Sequence, residues 1–221
     1  MARLDYQQQL SELREHVVEM SELVLDRYDM ALTALETKDE SVAREVIDGD
    51  DEINELYLDL EGDCIELFAL QQPVAGDLRF IASSFKIVTD LERIGDLATN
   101  LAEYAIAAER ERYPEVDVHH IGTETGTMVT EAVEAYDVED AELARSVAER
   151  DNKIDRLCAD ANVVVVKDLL ETDYGDEAQE VMDDVSRLLL TIRDLERVGD
   201  HAVNICARTV YMIDHDTELI Y

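Results

Sequence analysis

Residues that interrupt helices are scarce in this chain. Only two prolines and eight glycines occur among its 221 residues, and such long stretches without breaks indicate helices rather than many short strands. Long apolar runs are missing too, because the longest aliphatic run, residues 163–166, is followed at once by Lys167 and Asp168. This pattern excludes a membrane-spanning helix. The first residues contain no apolar signal-peptide core, so we expect a cytoplasmic protein.

Positive charge is also scarce. The chain has 19 basic against 54 acidic residues, a net charge of −35, and only four of the basic residues are lysines. Such a surface repels phosphate groups, so we expect neither nucleic-acid binding nor direct insertion into an anionic membrane. The spread of acids over the whole chain favours adaptation to the high internal salt of a halophile, where repulsion is screened within about 3 Å. Multivalent cation binding is the alternative interpretation, and net charge by itself locates no site for it.

Cysteine is sparse as well. The three cysteines, Cys64, Cys158 and Cys206, are odd in number and form no CxxC pair. This spacing disfavours disulfides and a cysteine-ligated zinc site. We expect buried thiols instead.

Helical periodicity, by contrast, is abundant. It predicts an all-α fold of six long helices, at about 5–36, 40–70, 75–111, 121–136, 139–171 and 176–214. We keep the β-branched run at 163–166 helical because its flanks are helical, and we expect turns in QQPVAG and DYGD and a linker from Tyr113 to Gly122. Three helices precede the linker and three follow it. We therefore predict two tandem three-helix bundles, residues 1–113 and 114–221, related by internal duplication.

One seven-residue sequence motif, called the repeated phrase below, occurs twice. It reads DLERIGD at 90–96 and DLERVGD at 194–200. An offset of 104 also superimposes the apolar and small residues around it, at the spacings of three and four that describe one helix seam. The matched pairs are Leu78/Met182, Ile81/Val185, Phe85/Leu189, Val88/Ile192, Leu91/Leu195, Gly95/Gly199, Ala98/Ala202 and Ala102/Cys206. A weaker match, at an offset of 101, pairs GDDEIN at 49–54 with RDNKID at 150–155.

Each copy of the phrase carries two carboxylates one helical turn apart. They are Glu92 and Asp96, with Asn100 a further turn on, and Glu196 and Asp200, with Asn204 a further turn on. A composition this acidic supplies about 13 such pairs by chance, so the spacing matters only through its context. The acids border the apolar seam. Gly95 and Gly199, each costing about 1 kcal/mol inside a helix, imply that something approaches closely there.

Like charges beside a packed seam call for a positive counterpart. One hypothesis is an inter-helix salt-bridge node in each bundle, made by Arg93 and Arg197. The other is a carboxylate-rich metal site, whose oxygens would suit Mg²⁺, Mn²⁺ or Fe³⁺ and, less strictly, Zn²⁺. The residues that the second helices offer to such a site are Asp50, Asn54, Asp151 and Asp155.

In this order and spacing, GDDEIN, QQPVAGDLRFI and DLERIGDLA, followed by RDNKID and DLERVGDHAVNI, resemble the PhoU family of phosphate-transport regulatory proteins. The resemblance covers nearly the whole chain. It implies two three-helix bundles side by side in a cytoplasmic protein that is usually a homodimer. It also implies a negative regulator of phosphate uptake and of the phosphate-starvation response, which couples the ATPase of a phosphate ABC transporter to a sensor histidine kinase.

The resemblance also implies metal binding, because some members hold multinuclear iron or zinc clusters through Glu/Asp-xxx-Asp motifs. On this chain the motifs fall at Asp50/Asn54, Glu92/Asp96, Asp151/Asp155 and Glu196/Asp200. Asn54 stands where the family pattern has an acid, and a neutral amide binds cations more weakly, so we expect the first site to be the poorer one. His201 offers a nitrogen ligand beside Asp200, although a lone histidine, either exposed or in the core, is the favoured interpretation. No DNA-binding appendage is visible.

Two other function classes stay open. A carboxylate-bridged di-metal oxidoreductase in a helical bundle calls for Glu-x-x-His pairs, and none of the five histidines has a glutamate three residues before it. A purely structural acidic scaffold is the other class. The chain has no P-loop, so it is not itself the transporter ATPase. We therefore predict a regulator without catalytic activity, rather than an enzyme.

Overall fold

The computed structural model describes residues 2–70, 74–108, 113, 116–172 and 174–220. These residues form helices throughout, with one short 3₁₀ turn at Gly175–Glu177 and no strand among them. The helices are α1 (Ala2–Thr37), α2 (Glu40–Asp48), α3 (Asp50–Leu70), α4 (Ala75–Ala107), α5 (Val118–Asp137), α6 (Ala141–Glu149), α7 (Asp151–Glu171) and α8 (Ala178–Asp214). The predicted all-α fold is confirmed.

The six-helix plan holds, with one refinement in each half. The predicted helix at 40–70 is divided into α2 and α3 at Gly49, and the predicted helix at 139–171 is divided into α6 and α7 at Arg150. Both dividing residues keep right-handed helical dihedral angles, so each interruption is a kink rather than a loop. Each kink makes an aspartate, Asp50 or Asp151, the first residue of the following helix.

The turns that precede α2 and α6 are built alike. Asp39 caps α2 by accepting hydrogen bonds from the backbone N–H groups of residues 41 and 42, and Asp140 caps α6 in the same way through residues 142 and 143. Lys38 and Glu139, directly before the caps, both have positive φ. The first of these turns coincides with the predicted break at 37–39, and the second is its counterpart 101 positions later.

Some other helix boundaries differ from the predicted ones, and some predicted boundaries lie outside the described residues. Helix α5 begins at Val118, three residues earlier than predicted, because Asp117 caps it by accepting from the backbone N–H of His120. The described part of α4 ends at Ala107. Residues 71–73, 109–112, 114–115 and 173, on which parts of the predicted turns and linker fall, are outside the described residues. The predicted domain boundary at 113/114 therefore stays a prediction.

The long helices α4 and α8 form the centre of the molecule. Helix α4 packs on α1, α2, α3 and α8, and helix α8 packs on α4, α5, α6 and α7. A continuous apolar core includes residues from all eight helices. The three cysteines are buried free thiols, as predicted. No helix among the described residues has both the length and the apolar character that a bilayer crossing requires.

The seam predicted at the repeated phrase is the central part of this core. Ile81, Leu91, Leu195 and Ala202 are fully buried, as are most of their matched positions. The seam is shorter than predicted at its start, because Leu78 and its counterpart Met182 are exposed near the first turns of α4 and α8. Burial begins at the next matched pair, and of the later pairs only Phe85/Leu189 is half-buried.

Candidate functional site

The two copies of the repeated phrase meet where α4 and α8 run antiparallel. The leading aspartate of the first copy, Asp90, is buried in α4 and faces two side chains of α8. Its Oδ1 lies 2.9 Å from His201 Nδ1 and accepts a hydrogen bond of 3.1 Å from the side-chain amide of Asn204. This arrangement shows His201 as a core residue, which is one of the two positions that the sequence left open for it.

The leading aspartate of the second copy makes the reciprocal contact. Asp194 is buried in α8, and its Oδ2 accepts a hydrogen bond of 3.0 Å from the Tyr104 hydroxyl of α4. Its Oδ1 accepts from the Arg193 guanidinium at 2.8 Å and lies 3.7 Å from Arg197 Nη1. Asp90 and Asp194 thus join the two halves. Sequence reasoning missed both, although each stands at the head of the repeated phrase.

The predicted acids lie at the edge of this interface, in two groups. The first cluster consists of Asp50 and Asn54 from α3 with Glu92 and Asp96 from α4, and the second consists of Asp151 and Asp155 from α7 with Glu196 and Asp200 from α8. In both clusters, the aspartate that begins the outer helix (α3 or α7) and the glutamate of the repeated phrase are half-buried. The aspartate that ends the phrase is exposed. Within each cluster the side chains lie close together, because Asn54 donates to Asp50 in the first cluster and because carboxylates in both clusters raise the pKa of their neighbours.

In the second cluster the four acids act on one another through space. Burial raises the pKa of Asp151 to about 6, and the carboxylates of Asp155, Asp200 and Glu196 add to that shift. Burial also raises the pKa of Glu196 and of Asp200, with Asp155 contributing to both. Asp151 Oδ1 is buried and has no hydrogen-bond partner within the part of the chain that the structure describes. Such a group is costly in the folded protein and attracts a cation.

In the first cluster, neutral hydrogen-bond donors reach one of the carboxylates. Asp50 accepts a hydrogen bond of 2.9 Å from the side-chain amide of Asn54 and another of 3.1 Å from the Thr99 hydroxyl. Burial raises the pKa of Glu92, with a contribution from Asp96, and it also raises the pKa of Asp96, with a contribution from Asp50. The cluster therefore has three carboxylates, one of which already has two neutral donors.

The two seam glycines explain how the outer helices come so close. A methyl group added at Gly95 would lie 3.0 Å from Cδ1 of Ile53, the residue between the first two members of the first cluster. At Gly199 the nearest atom would be Oδ1 of Asp151, at 3.3 Å. The close approach expected from the sequence is thus made by a side chain of α3 in one half and of α7 in the other.

The arginines and asparagines of the phrase have different positions from those expected. Arg93 and Arg197 are exposed, and among the described residues neither forms an ion pair with a carboxylate of either cluster. Arg197 pairs within its own helix with Asp194, so within the described part of the chain no ion pair closes the predicted inter-helix node. The charges of Arg197 and Arg93 nevertheless oppose the rise in the pKa of Asp96. Asn204 donates across the interface rather than extending the acidic row, and Asn100 is half-buried one turn after Asp96.

The clusters differ from a closed metal cage. Among the described residues, no three His, Cys, Asp or Glu side chains converge tightly enough to form a ready-made metal site. The donor chemistry nevertheless fits a hard cation, because the second cluster offers four carboxylates and an orphaned buried oxygen. Cys158 lies buried nearby, and burial raises its thiol pKa to about 12, so a thiolate ligand is disfavoured. The metal site stays a prediction.

Comparison with known proteins identifies the family of this chain. The family model described as "PhoU domain" matches the chain twice, over residues 17–105 and 118–209. The phosphate-specific transport system accessory protein PhoU homolog of Pseudomonas putida is 38% identical over 211 residues, which are 93% of this chain and 79% of the relative. PhoU homolog 1 of Methanothermobacter thermautotrophicus is 34% identical, over 96% of this chain and 95% of the relative.

Solved structures agree with the sequence comparison. The crystal structure of PhoU from Pseudomonas aeruginosa superimposes with a TM-score of 0.89 at 34% identity, covering 96% of this chain and all of that one. The phosphate transport system regulatory protein PhoU from Streptococcus pneumoniae gives a TM-score of 0.86 at 29% identity, over 96% of this chain and 98% of that one. The similarity therefore extends over both halves of the molecule.

Proposed function

Because the chain belongs to the PhoU family, we propose that it regulates phosphate transport as an accessory protein, without catalytic activity of its own. The observation that carries the proposal is the similarity, over at least 93% of this chain, to proteins named as accessories of a phosphate-specific transport system. More specifically, it acts as a negative regulator in the cytoplasm, holding uptake and the starvation response down when phosphate is plentiful. Its partners are the ATPase of a phosphate ABC transporter, a sensor histidine kinase, or both.

The proposal predicts that deleting the gene deregulates phosphate uptake. In phosphate-rich medium the deletion strain should take up labelled phosphate several-fold faster than the wild type, and a plasmid copy of the gene should restore repression. Affinity capture of the tagged protein from phosphate-rich and phosphate-starved cells would then identify the partner. Uptake that is unchanged in both media would favour the structural scaffold instead.

We also propose that the acids of the second cluster bind a cation in the functional state of the protein. A divalent or trivalent ion bound there would neutralise four mutually repelling carboxylates and supply the missing partner of Asp151 Oδ1. Iron, zinc, manganese and magnesium are the candidates. Elemental analysis of protein purified without chelator is the direct test, and less than about a tenth of an ion per chain after reloading would reject the site.

The family resemblance further supports a homodimer, which we include in the proposal. We also attribute the net charge of −35 to adaptation to high salt, as in a halophile. Screening of the repulsion among surface carboxylates then stabilises the folded chain. A melting temperature that stays constant between low and molar KCl would contradict this attribution.

A further inference from the structure

Helix α7 exposes an apolar stripe on its outer side. Val163, Val166 and Leu170 are 64%, 46% and 82% exposed, and Ala159 extends the stripe by a turn. The face of α7 that packs in the core is formed by Ile154, Cys158, Ala161 and Val165. At 3.6 residues per turn, the two faces point about 140° apart, so the stripe faces away from the bundle.

The spacing of the stripe is that of a coiled-coil seam. Residues 159, 163, 166 and 170 are separated by steps of four, three and four, which is the spacing of the a and d positions of a heptad repeat. Helix α3 carries the equivalent stripe 101 positions earlier, with Leu58 and Ile65 exposed by 61% and 56% and with Gly62 and Ala69 between and after them. Both outer helices, α3 and α7, thus present a seam that none of the described residues covers. The charges that flank the two seams differ.

On α7 the flank of the stripe carries one charge of each sign. Asp160 and Lys167 are both exposed and lie one heptad apart, on the same side of the seam. In an antiparallel pair of α7 helices, with Val163 of each beside Val166 of the other, Asp160 lies near Lys167 of the partner subunit, and the reverse contact follows by symmetry. Heptad flanking positions form such interhelical ion pairs and so set the orientation.

On α3 the same flank repels itself. The equivalent positions are Asp59 and Glu66, both acidic, and α3 contains no basic residue. Two α3 helices in the same antiparallel arrangement would place acid against acid. Glycine at position 62, where α7 has Val163, also removes apolar contact. The matched stripe on α3 is therefore a poor surface for self-association.

From this difference we infer that α7 is the surface through which two copies of the chain associate, as an antiparallel helix pair about a two-fold axis. The inference rests on the homodimer of the proposed function and is independent of its role in phosphate transport. The seam from Ala159 to Leu170 is only about 17 Å long. The dimer interface is therefore small, and we expect association to be reversible. Two subunits of charge −35 repel each other, so association strengthens as salt rises.

The first test removes the apolar contact. The V163D/V166D variant should lower the dimer fraction at least tenfold at micromolar concentration in about 2 M KCl, measured by sedimentation equilibrium. The matched control, L58D/I65D, adds the same charges to the equivalent stripe of α3 and should leave association unchanged. Helix content measured by circular dichroism checks that both variants are folded.

The second test concerns orientation. At the lowest salt concentration at which the wild-type chain still dimerises, where exposed ion pairs are least screened, D160K and K167D should each weaken the dimer, because each places like charges opposite one another. The double variant D160K/K167D, which keeps the wild-type net charge, should restore association. Restoration is specific to an antiparallel α7 pair. A wild-type chain that is monomeric at every concentration would overturn both the homodimer and this surface. A dimer insensitive to the α7 variants, or one lost in the α3 control, would overturn this surface alone.

Discussion

The two acidic clusters occupy equivalent places in the two halves but differ in the donors available to them. In the first cluster, Asn54 and Thr99 both donate hydrogen bonds to Asp50. In the second, the position of Asn54 is taken by Asp155, and the position of Thr99 is taken by Val203. One amide and one hydroxyl are thus replaced by a carboxylate and an apolar side chain.

The replacement explains the electrostatic contrast between the halves. Without those donors, Asp151 keeps a buried oxygen for which the described residues supply no hydrogen-bond partner. Burial, reinforced by three neighbouring carboxylates, raises the pKa of Asp151 to about 6. A duplicated fold has therefore kept the positions of its acids while changing how they are compensated. In the first cluster the leading aspartate, Asp50, is compensated by two neutral donors, whereas its counterpart Asp151 in the second cluster calls for a counterion.

The largest expected effect is on cation affinity, with Mn²⁺ as the probe. The D151N/D155N variant should lower the affinity for Mn²⁺ by about tenfold or more, because carboxylate count sets the affinity of such sites. D50N, at the equivalent place in the first cluster, should lower it several-fold at most. Titration of free Mn²⁺ by electron paramagnetic resonance measures both. Equal losses in the two variants would contradict the asymmetry.

The reverse substitution sharpens the same comparison. N54D gives the first cluster the fourth carboxylate that the family pattern leads one to expect, and it should raise the Mn²⁺ affinity of that cluster towards that of the second. Q8E adds one negative charge on the exposed surface of α1 and serves as its control. If both variants bind Mn²⁺ equally well, total charge rather than the local donor set governs binding.

Much of this architecture could be predicted from periodicity. The helix seam, the break before α2 and the grouping of the acids follow from the spacing of apolar and acidic residues in the sequence. The kinks at Gly49 and Arg150 were not predicted, because the apolar pattern continues across them and both residues keep helical dihedral angles. The sequence also gives no sign that Thr99 reaches Asp50, since that contact joins residues 49 positions apart.

Asp90 and Asp194 show a different limit of sequence reasoning. Both were visible at the head of the repeated phrase, yet a charged residue is normally assigned to the surface. Their burial depends on partners from the other half, His201 and Asn204 for the first and Tyr104 for the second. Because those partners are 90 to 114 positions away in the sequence, no local sequence pattern predicts these contacts.

A smaller effect is expected on the stability of chelated protein. D151N should raise the melting temperature at pH 7.5 by removing a carboxylate that burial disfavours. The gain is on the order of 1 kcal/mol after allowance for solvent screening, or about 2–4 °C. D50N should lower it, because the Asn54 amide and the Thr99 hydroxyl lose an anionic acceptor. Differential scanning calorimetry measures both.

The pH dependence of this effect has a definite sign. The pKa of Asp151 is raised from 3.8 to about 6 on folding, so the folded state holds a proton that the unfolded state has lost between those values. The contribution of Asp151 to stability therefore falls as pH rises from about 4 to 6 and stays low above that range. The advantage of D151N should shrink at pH 5, and an advantage independent of pH would argue against this origin.

The smallest expected effect concerns the two seam glycines. G95A gains about 1 kcal/mol of helix propensity, but its methyl group would press on Ile53, which is buried and has little room to move. G199A meets only Asp151 Oδ1 at 3.3 Å and two methyl groups at 3.6 Å, and the carboxylate can turn away. We expect G95A to lower the free energy of unfolding by about 1 kcal/mol, whereas G199A should raise it by up to about 1 kcal/mol, the gain in helix propensity, as measured by urea denaturation. The reverse order would mean that the second cluster, rather than the first, is the more tightly packed of the two.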